Sequence, residues 1–348
     1  MKHFYQRFVV LFVVSMMSVC AFAYDAEIDG ICYFFDEEAK TASVACRDYS
    51  HYNSYSGSVT IPSSVVYNGQ TYSVTSIGFS AFRDCPNLTD VTIPNSVTSL
   101  ADQAFLRCSS LNSVSFGNYV TTIGNMAFNG CTSLTEITLP NSVTTIGGYA
   151  FRECTNLAKI SLGNSLTTIG GDAFYGCICL THIELPSSMT KIEASVFENC
   201  TGLTSISLGE GLMEIGYKAF ASCTALESIT LPNSLTHIDE SFGGCSALTK
   251  VVSCIMNPFR LPPHAFDIYE TATLYVPYGT SETYKNTYAW NKFIHIEEMS
   301  SLNVENKKVS SPKEMQFFSL DGRRQKAEKS GINIIRMSDG TMKKTVKK

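Results

Sequence analysis

Phenylalanine recurs along this chain at an interval of 23 residues. The positions that share this interval are Phe82, Phe105, Phe128, Phe151, Phe174, Phe197 and Phe220, with Phe242 one residue early. A cysteine follows each of them by three residues, from Cys85 to Cys245, and a leucine follows each by six, from Leu88 to Leu248. Columns of apolar residues at one fixed period are typical of a protein built from stacked repeats.

The unit that ends at Cys154 shows how one repeat folds. Ile137 and Leu139, two residues apart, fit one face of a short strand, while Val143 and Phe151 lie on the returning part of the coil. One such coil cannot cover its own apolar edge, whereas stacked coils bury a continuous core. The pattern therefore predicts a β-rich solenoid with short helical turns.

The residue after each strand shows a second, longer period. It alternates between proline and glycine, at Pro94, Gly117, Pro140, Gly163, Pro186, Gly209 and Pro232. Proline ends a strand because it lacks a donor, and glycine ends it by permitting an unusual turn. The unit of the pattern is thus a pair of coils, 46 residues long.

Composition and patterning divide the chain into five segments. Residues 1–23 have a basic start, a 12-residue apolar run and a small residue, Ala23, at the expected cleavage site, which predicts a signal peptide. That run is shorter than the ~20 residues needed to span a bilayer, and no later stretch is long enough, so no transmembrane span is expected after signal removal. The remaining segments are an N-terminal cap (24–56), the solenoid (57–277), a C-terminal cap (278–301), and a linker with a basic tail (302–348).

The expected caps contain recognisable local signals. Asn68 and Gly69, between β-forming residues from Val65 to Val74, predict a hairpin that projects from the first coil. Ser281 to Trp290 predicts a short helix with Tyr284 and Tyr288 on one face, followed by a strand from Phe293 to Ile296.

Charge is unevenly divided between the solenoid and the tail. Residues 24–301 carry 12 basic and 26 acidic side chains, and residues 302–348 carry 12 basic and 5 acidic ones. An acidic body argues against nucleic acid or polyanionic glycans as the ligand, because these require clustered Lys and Arg.

The repeated pattern Leu-x-x-Ile-x-Leu-Pro-x-Ser-Val-x-x-Ile-Gly-x-x-Ala-Phe-x-x-Cys resembles the BspA-like leucine-rich repeat family of anaerobic Gram-negative bacteria, roughly from Gly57 to Glu298. The resemblance implies a right-handed leucine-rich repeat solenoid with its strands on the concave side. It also implies a secreted or outer-surface protein that mediates adhesion, with host extracellular matrix or plasma proteins, such as fibronectin and fibrinogen, among the candidate partners.

The basic tail has its own resemblance. Phe317-Phe318-Ser-Leu320-Asp-Gly322 and the segments around Gly331 to Arg336 and Asp339-Gly340 resemble the C-terminal sorting segments of the type IX secretion pathway. Short strands around Asp-Gly turns predict a small β module. A solvated basic tail without a specific role is the alternative.

The spacing of the cysteines favours a structural role in the core over metal binding. One cysteine per coil forms a line, whereas zinc sites need pairs of close ligands, and only Cys177 and Cys179 are locally paired. The column is therefore predicted to consist of reduced thiols in the core. Cys32 and Cys46 precede the repeats and are the candidate disulfide, with two reduced thiols as the open alternative.

Catalytic motifs find little support in the sequence. The histidines have no ligand or triad spacing, and a nucleophile formed by Cys179 with His182 competes with the simpler interpretation of a surface histidine. No catalytic residue, metal or cofactor is expected.

The outward positions of the strands form the candidate binding face. They carry Asp90, Thr92, Ser113, Ser115, Glu136, Thr138, Lys159, Ser161, His182, Glu184, Ser205, Ser207, Ser228, Thr230 and Lys250. These positions lack Trp, Tyr and Arg, which anchor tight interfaces, so the face favours weak contacts repeated over many coils. Tyr149, Tyr175 and Tyr217 form a weaker alternative patch away from it.

The leading functional hypothesis is an exported, non-catalytic protein that binds a protein or glycan. The alternative is a structural or scaffold component of the cell envelope without a host ligand. Serine and threonine also suit exposed strands whether or not they bind anything.

Overall fold

The computed structural model describes residues 24–47 and 55–300, together with four strands of the C-terminal segment. The expected signal peptide lies outside the described residues. Within residues 55–300 the chain winds into a β-solenoid, as the repeat predicts.

The N-terminal segment forms a small sheet that joins the first coils. Its strands are β1 (Ala26–Ile28), β2 (Ile31–Asp36), β3 (Thr41–Ala45), β5 (Ser64–Tyr67) and β6 (Gln70–Ile77). The strand between them in the chain, β4 (Ser56–Thr60), belongs to a separate sheet with strands of the solenoid. β5 and β6 are antiparallel and joined at Asn68 and Gly69, whose φ angles are 50° and 75°. The predicted hairpin is confirmed, and its turn requires the left-handed backbone that Asn and Gly tolerate.

Each coil between residues 87 and 238 contributes two short parallel strands, and the two coils that follow contribute one each. The first set comprises β7 (Asn87–Thr92), β9 (Ser113–Ser115), β11 (Glu136–Thr138), β13 (Lys159–Ser161), β15 (His182–Glu184), β17 (Ser205–Ser207), β19 (Ser228–Leu231), β21 (Lys250–Ser253) and β22 (Thr273–Val276). The second set comprises β8 (Ser99–Leu100), β10 (Thr122–Ile123), β12 (Thr145–Ile146), β14 (Thr168–Ile169), β16 (Lys191–Ile192), β18 (Glu214–Ile215) and β20 (His237–Ile238). We call the solvent side of the first set the strand face.

The third side of each coil consists of hydrogen-bonded turns. Tyr149 and Glu153 adopt left-handed φ angles of 59° and 57°, and the equivalent residues of other coils do the same. Left-handed residues interrupt an α-helix, so the turns expected to be helical are not helices within residues 55–277. Backbone hydrogen bonds between neighbouring coils take the place of those within a helix. For example, the Phe151 amide donates to the Ala173 carbonyl at 2.8 Å.

Phenylalanine rings stack through the core. Neighbouring rings from Phe82 to Phe266 lie 4.7 to 5.5 Å apart and nearly parallel, and Phe266 extends the column that the sequence traced to Phe242. A rigid column of this kind fixes the register of the coils, because each ring contacts the ring before and after it.

The cysteine column runs beside the rings. The Cys154 thiol donates to the carbonyl of Phe128, one coil earlier, at 3.1 Å, and the same bond recurs from Cys108 to Cys245. Every thiol of the column is buried and none is bridged, which confirms the prediction of reduced core cysteines. Each thiol therefore also serves as a donor for a buried carbonyl.

The alternation of proline and glycine reflects close packing between coils. Gly163 does not adopt a positive φ, but a Cβ atom placed on it would lie 2.4 Å from the Pro140 carbonyl oxygen of the preceding coil. Gly117 and Gly209 have the same relation to Pro94 and Pro186. The expectation that glycine supplies an unusual turn is thus wrong, because these glycines permit a close approach.

Replacing Gly163 with alanine tests this packing. We expect Gly163→Ala to lower the free energy of unfolding by about 1 to 3 kcal/mol, because the backbone of Pro140 must move. Gly243→Ala is the matched control, since its added Cβ meets only the Asp267 carboxylate at 3.4 Å. Denaturant unfolding of both variants measures the difference. Equal stabilities would contradict the close-packing explanation.

From β7 to β17 the first set of strands is hydrogen-bonded in pairs, whereas β19, β21 and β22 form one continuous ladder. β7 bonds with β9, β11 with β13, and β15 with β17, while no ladder joins β9 to β11, β13 to β15 or β17 to β19 among residues 55–300. Each of these three pairs begins with a coil whose strand is followed by proline and ends with a coil whose strand is followed by glycine, and we call these proline coils and glycine coils. The 46-residue period of the sequence is therefore also the period of the ladder.

The last rung is covered by a short helical segment and a final strand. They are α1 (Ser281–Asn286), a 3₁₀ turn (Trp290–Lys292) and β23 (His295–Glu298), which pairs in parallel with β22. Tyr284 is buried, and its hydroxyl donates to the Ile255 carbonyl at 2.7 Å. Tyr288 lies beyond the helix and is 45% exposed, so the two tyrosines do not share a buried face as expected.

The C-terminal segment contains β24 (Gln316–Phe318), β25 (Arg324–Gln325), β26 (Gly331–Arg336) and β27 (Met342–Lys347). They form an antiparallel sheet in the order β25-β24-β26-β27, in agreement with the expected β module. The sorting role and the segment boundaries remain predictions.

Candidate functional site

The strand face carries two parallel rows of side chains. The register aligns Glu136 with Lys159 and His182 with Ser205 in one row, and Glu184 with Ser207 in the other. All fifteen predicted residues lie on this face, exposed or half-buried. The alternation of a strand accounts for this, because outward and inward positions alternate along each rung.

The rows continue beyond the residues predicted from the sequence. Val252 of β21 lies opposite Tyr275 of β22, and Tyr275 lies opposite Glu297 of β23. The Lys250 ammonium lies 5.2 Å from the centre of the Tyr275 ring. The face thus includes one tyrosine at its C-terminal end, which corrects the expectation that it has none.

Neighbouring coils are linked by polar pairs along the rows. The Ser113 hydroxyl donates to the Asp90 carboxylate at 2.6 Å, and this bond lowers the pKa of Asp90. His182 Nδ1 and the Ser205 hydroxyl lie 2.8 Å apart. Side chains held this way present a preformed surface to a partner.

Cys179 is exposed, and no hydrogen bond joins it to His182 in the described part of the chain. His182 is hydrogen-bonded to Ser205, on the strand face. Cys177 is buried, and burial raises its pKa well above the usual range, so its thiol stays protonated and unreactive. Among the described residues no group of three or more His, Cys, Asp and Glu side chains could hold a metal ion.

The candidate disulfide is not formed. Cys32 and Cys46 are both buried, but no bond joins them. The register places Cys32 opposite Ala45, one residue before Cys46, so strand alternation directs the two thiols to opposite faces of the sheet.

The alternative tyrosine patch is divided. The Arg152 guanidinium lies 4.1 Å from the ring centre of Tyr175 and 5.6 Å from that of Tyr149. Tyr217 lies against Lys218 instead, near a later coil. The three tyrosines therefore do not act as one surface.

Two grooves open on the strand face where the ladder is interrupted. Groove 1, about 530 Å³, lies between β13 and β15, and groove 2, about 300 Å³, lies between β17 and β19. Groove 1 is lined by Ala158, Lys159, Ile160, Ser161, Leu162, Asn164, Thr181, His182, Glu184 and Pro186. Groove 2 is lined by Ile206, Ser207, Leu208, Glu210, Thr230, Pro232 and Cys254.

Sequence reasoning missed the floors of these grooves. Leu162 and Leu208 are only partly buried, whereas Leu139 and Leu185, their equivalents in the proline coils, are buried. The sequence signal that could have indicated these floors is the apolar residue before each glycine of the alternating pattern. In successive pairs of coils it is Phe116, Leu162 and Leu208.

The comparison with protein families decides the kind of repeat. A model of the BspA type leucine-rich repeat region matches residues 75–201 and 167–294. The chain belongs to the BspA-type leucine-rich repeat family. This family match indicates a repeat scaffold and no catalytic family.

Two solved structures of leucine-rich repeat proteins are similar to this chain. A leucine-rich repeat protein of T. pallidum is 26% identical with a TM-score of 0.51, and the match covers 58% of this chain and 90% of that one. One from Bacteroides ovatus ATCC 8483 is 27% identical with a TM-score of 0.48, and the match covers 79% of each chain. No curated protein matches the chain. In the described part of this BspA-type protein, no helix is long and apolar enough to cross a membrane.

Proposed function

We propose that this BspA-type repeat protein is exported to the outer surface of a Gram-negative bacterium, where it binds a protein or glycan partner without catalysis. The observation that carries the proposal is the pair of polar rows on the strand face, which the register aligns within each ladder between β7 and β23. A stack held by aligned rings and backbone bonds presents these rows as one extended surface.

The chemistry of the rows favours many modest contacts. Most of their residues are Ser, Thr or single charges, and the one aromatic side chain lies at the C-terminal end. Interfaces with few aromatic or arginine anchors are weak at each point. Repetition along the stack raises the overall affinity, because later contacts form within an existing complex. Host matrix and plasma proteins are suitable partners for such a surface.

Adhesion of intact cells tests the location and the face together. Cells that carry the parent chain, labelled by antibody without permeabilisation, are expected to adhere to surfaces coated with fibronectin, fibrinogen or host glycans. Thr138→Arg combined with Thr230→Arg places bulk on the strand face and should reduce adhesion about tenfold or more.

The matched control carries the same substitutions elsewhere. Thr201→Arg combined with Ser246→Arg changes two exposed residues away from the strand face and should leave adhesion unchanged. Absence of surface labelling, or adhesion that both pairs reduce equally, would count against the proposal and favour an envelope scaffold.

A further inference from the structure

The two grooves occupy equivalent positions in successive pairs of coils. Shifting six lining residues of groove 1 by 46 positions gives six lining residues of groove 2. Ile160, Ser161, Leu162, Asn164, Glu184 and Pro186 become Ile206, Ser207, Leu208, Glu210, Thr230 and Pro232. In the preceding pair of coils the leucine position is held by Phe116, whose ring packs edge-on against Phe128 at 6.3 Å.

The position of each groove follows from the packing of the coils. Glycine draws each glycine coil against the proline coil before it, and the strands separate at the next junction. At groove 1 the second set of strands is also interrupted, between β14 and β16. Glu193 stands there in place of the glycine found at Gly147 and Gly170, whose positions leave no room for a Cβ. The larger groove therefore lies where both ladders are open.

Groove 1 presents polar groups without a net charge. Lys159 and Glu184 offer one positive and one negative charge, and neither side chain has an ion pair or hydrogen bond within the described part of the chain. Asn164, with both amide donors and an acceptor, lines the same groove, and Leu162 and Pro186 add apolar surface. This combination suits a ligand with several hydroxyl groups and apolar C–H faces.

The spacing of the grooves matches a polymer. They lie two coils apart, which is at least about 9.5 Å, because only one of the two steps has the usual strand separation and the other crosses open junctions. Two β-linked pyranose rings extend over a comparable length. A polyproline II helix also repeats at about 9.3 Å, but its docking sites are lined with aromatic side chains, and neither groove has one.

We infer that grooves 1 and 2 bind a neutral, β-linked oligosaccharide that runs along the solenoid axis and places one ring in each groove. The inference rests on the proposed function, because it names the ligand class of the strand face. Glu184 and Asn164 bind hydroxyl groups of the ring in groove 1, and Leu162 supports its apolar face.

Filling the grooves tests the inference with little risk to the fold. Leu162→Phe and Leu208→Phe introduce the residue that Phe116 already provides at the equivalent position. The purified full chain is titrated calorimetrically with cellohexaose, xylohexaose and N-acetylchitohexaose, and thermal unfolding of each variant confirms an intact fold. At least one hexasaccharide should bind, and the double variant should weaken its binding about tenfold or more.

Two comparisons distinguish binding in the grooves from non-specific binding of carbohydrate. The corresponding disaccharide should bind about tenfold more weakly than the hexasaccharide, because it reaches one groove only. Glu184→Gln should weaken binding, whereas Glu136→Gln, on the strand face but outside both grooves, should not.

The outcomes separate this inference from the proposed function. Absence of binding to all three hexasaccharides, or binding that Leu162→Phe with Leu208→Phe leaves unchanged, overturns the inference. Binding of a proline decamer that the same double variant abolishes also overturns it. If cells still adhere through the strand face in those cases, the proposed function stands and only the ligand class is wrong.

Discussion

The free energy of unfolding is expected to fall steeply as the pH rises above about 9. Burial raises the pKa of Cys154, Cys200 and Cys245 to about 12, and it raises the pKa of the other column thiols from Cys108 onward as well. In the unfolded chain the same thiols release their protons near pH ~8.5. The folded thiols therefore stabilise the protein fully below that pH, and this contribution is lost between about pH 9 and 12.

The expected size of this effect is large because the thiols titrate together. Each contributes about 1.4 kcal/mol per pH unit in this window, so the seven from Cys108 to Cys245 contribute roughly 10 kcal/mol per unit. A domain with a typical stability of about 5 to 15 kcal/mol would unfold within one or two units. Circular dichroism along a titration from neutral to alkaline pH measures the transition.

The control compares how steeply the free energy of unfolding falls with pH, and not the pH at which half of the protein is unfolded. Cys154→Ala combined with Cys200→Ala lowers stability at neutral pH, because it removes two hydrogen-bond donors from the Phe128 and Phe174 carbonyls. It should also reduce the slope of the free energy of unfolding against pH by about 2.7 kcal/mol per pH unit, because two thiols no longer titrate. An unchanged slope would show that the column thiols do not drive alkaline unfolding.

Truncating one ring of the phenylalanine column is expected to have the second-largest effect. Phe151 is fully buried between Phe128 and Phe174, at ring distances of 5.2 and 5.3 Å. Phe151→Ala should lower the free energy of unfolding by about 3 to 5 kcal/mol, through lost burial and the cavity left behind. Denaturant unfolding followed by circular dichroism measures this change.

Phe79→Ala provides the matched control. Phe79 is 51% exposed, outside the column, and its truncation should cost less than about 0.5 kcal/mol. Calorimetry adds a second readout, since a gap in the column weakens the coupling between the coils on either side and should broaden or split the transition. A Phe151→Ala variant as stable as Phe79→Ala would show that the rings do not fix the stack.

The sequence predicted those parts of the fold that repeat with a strong pattern. The columns that begin at Phe82 and Cys85 were readable because each coil repeats them in register. The second strand, such as Thr145–Ile146, was not readable, since two residues cannot show an alternating pattern. The role of Gly163 also stayed hidden, because it depends on the distance to a different coil.

The same limit applies to the candidate site. The two polar rows followed from strand alternation, so all their members were found up to Lys250. Tyr275 keeps the 23-residue interval from Val252, but the outward positions were followed only as far as Lys250. The grooves were missed because they arise where ladders separate, and a local feature such as Glu193 acquires its meaning only beside the glycines of neighbouring coils.

The fit of each glycine coil against a proline coil also governs how such a chain can lengthen. Duplicating a single coil would place two glycine coils or two proline coils side by side and lose the close contact seen between Gly163 and Pro140. Duplicating 46 residues preserves every contact and adds one more junction with its groove. Gene duplication would therefore increase the number of grooves one at a time, and the reach of the protein along a polymer would grow in equal steps.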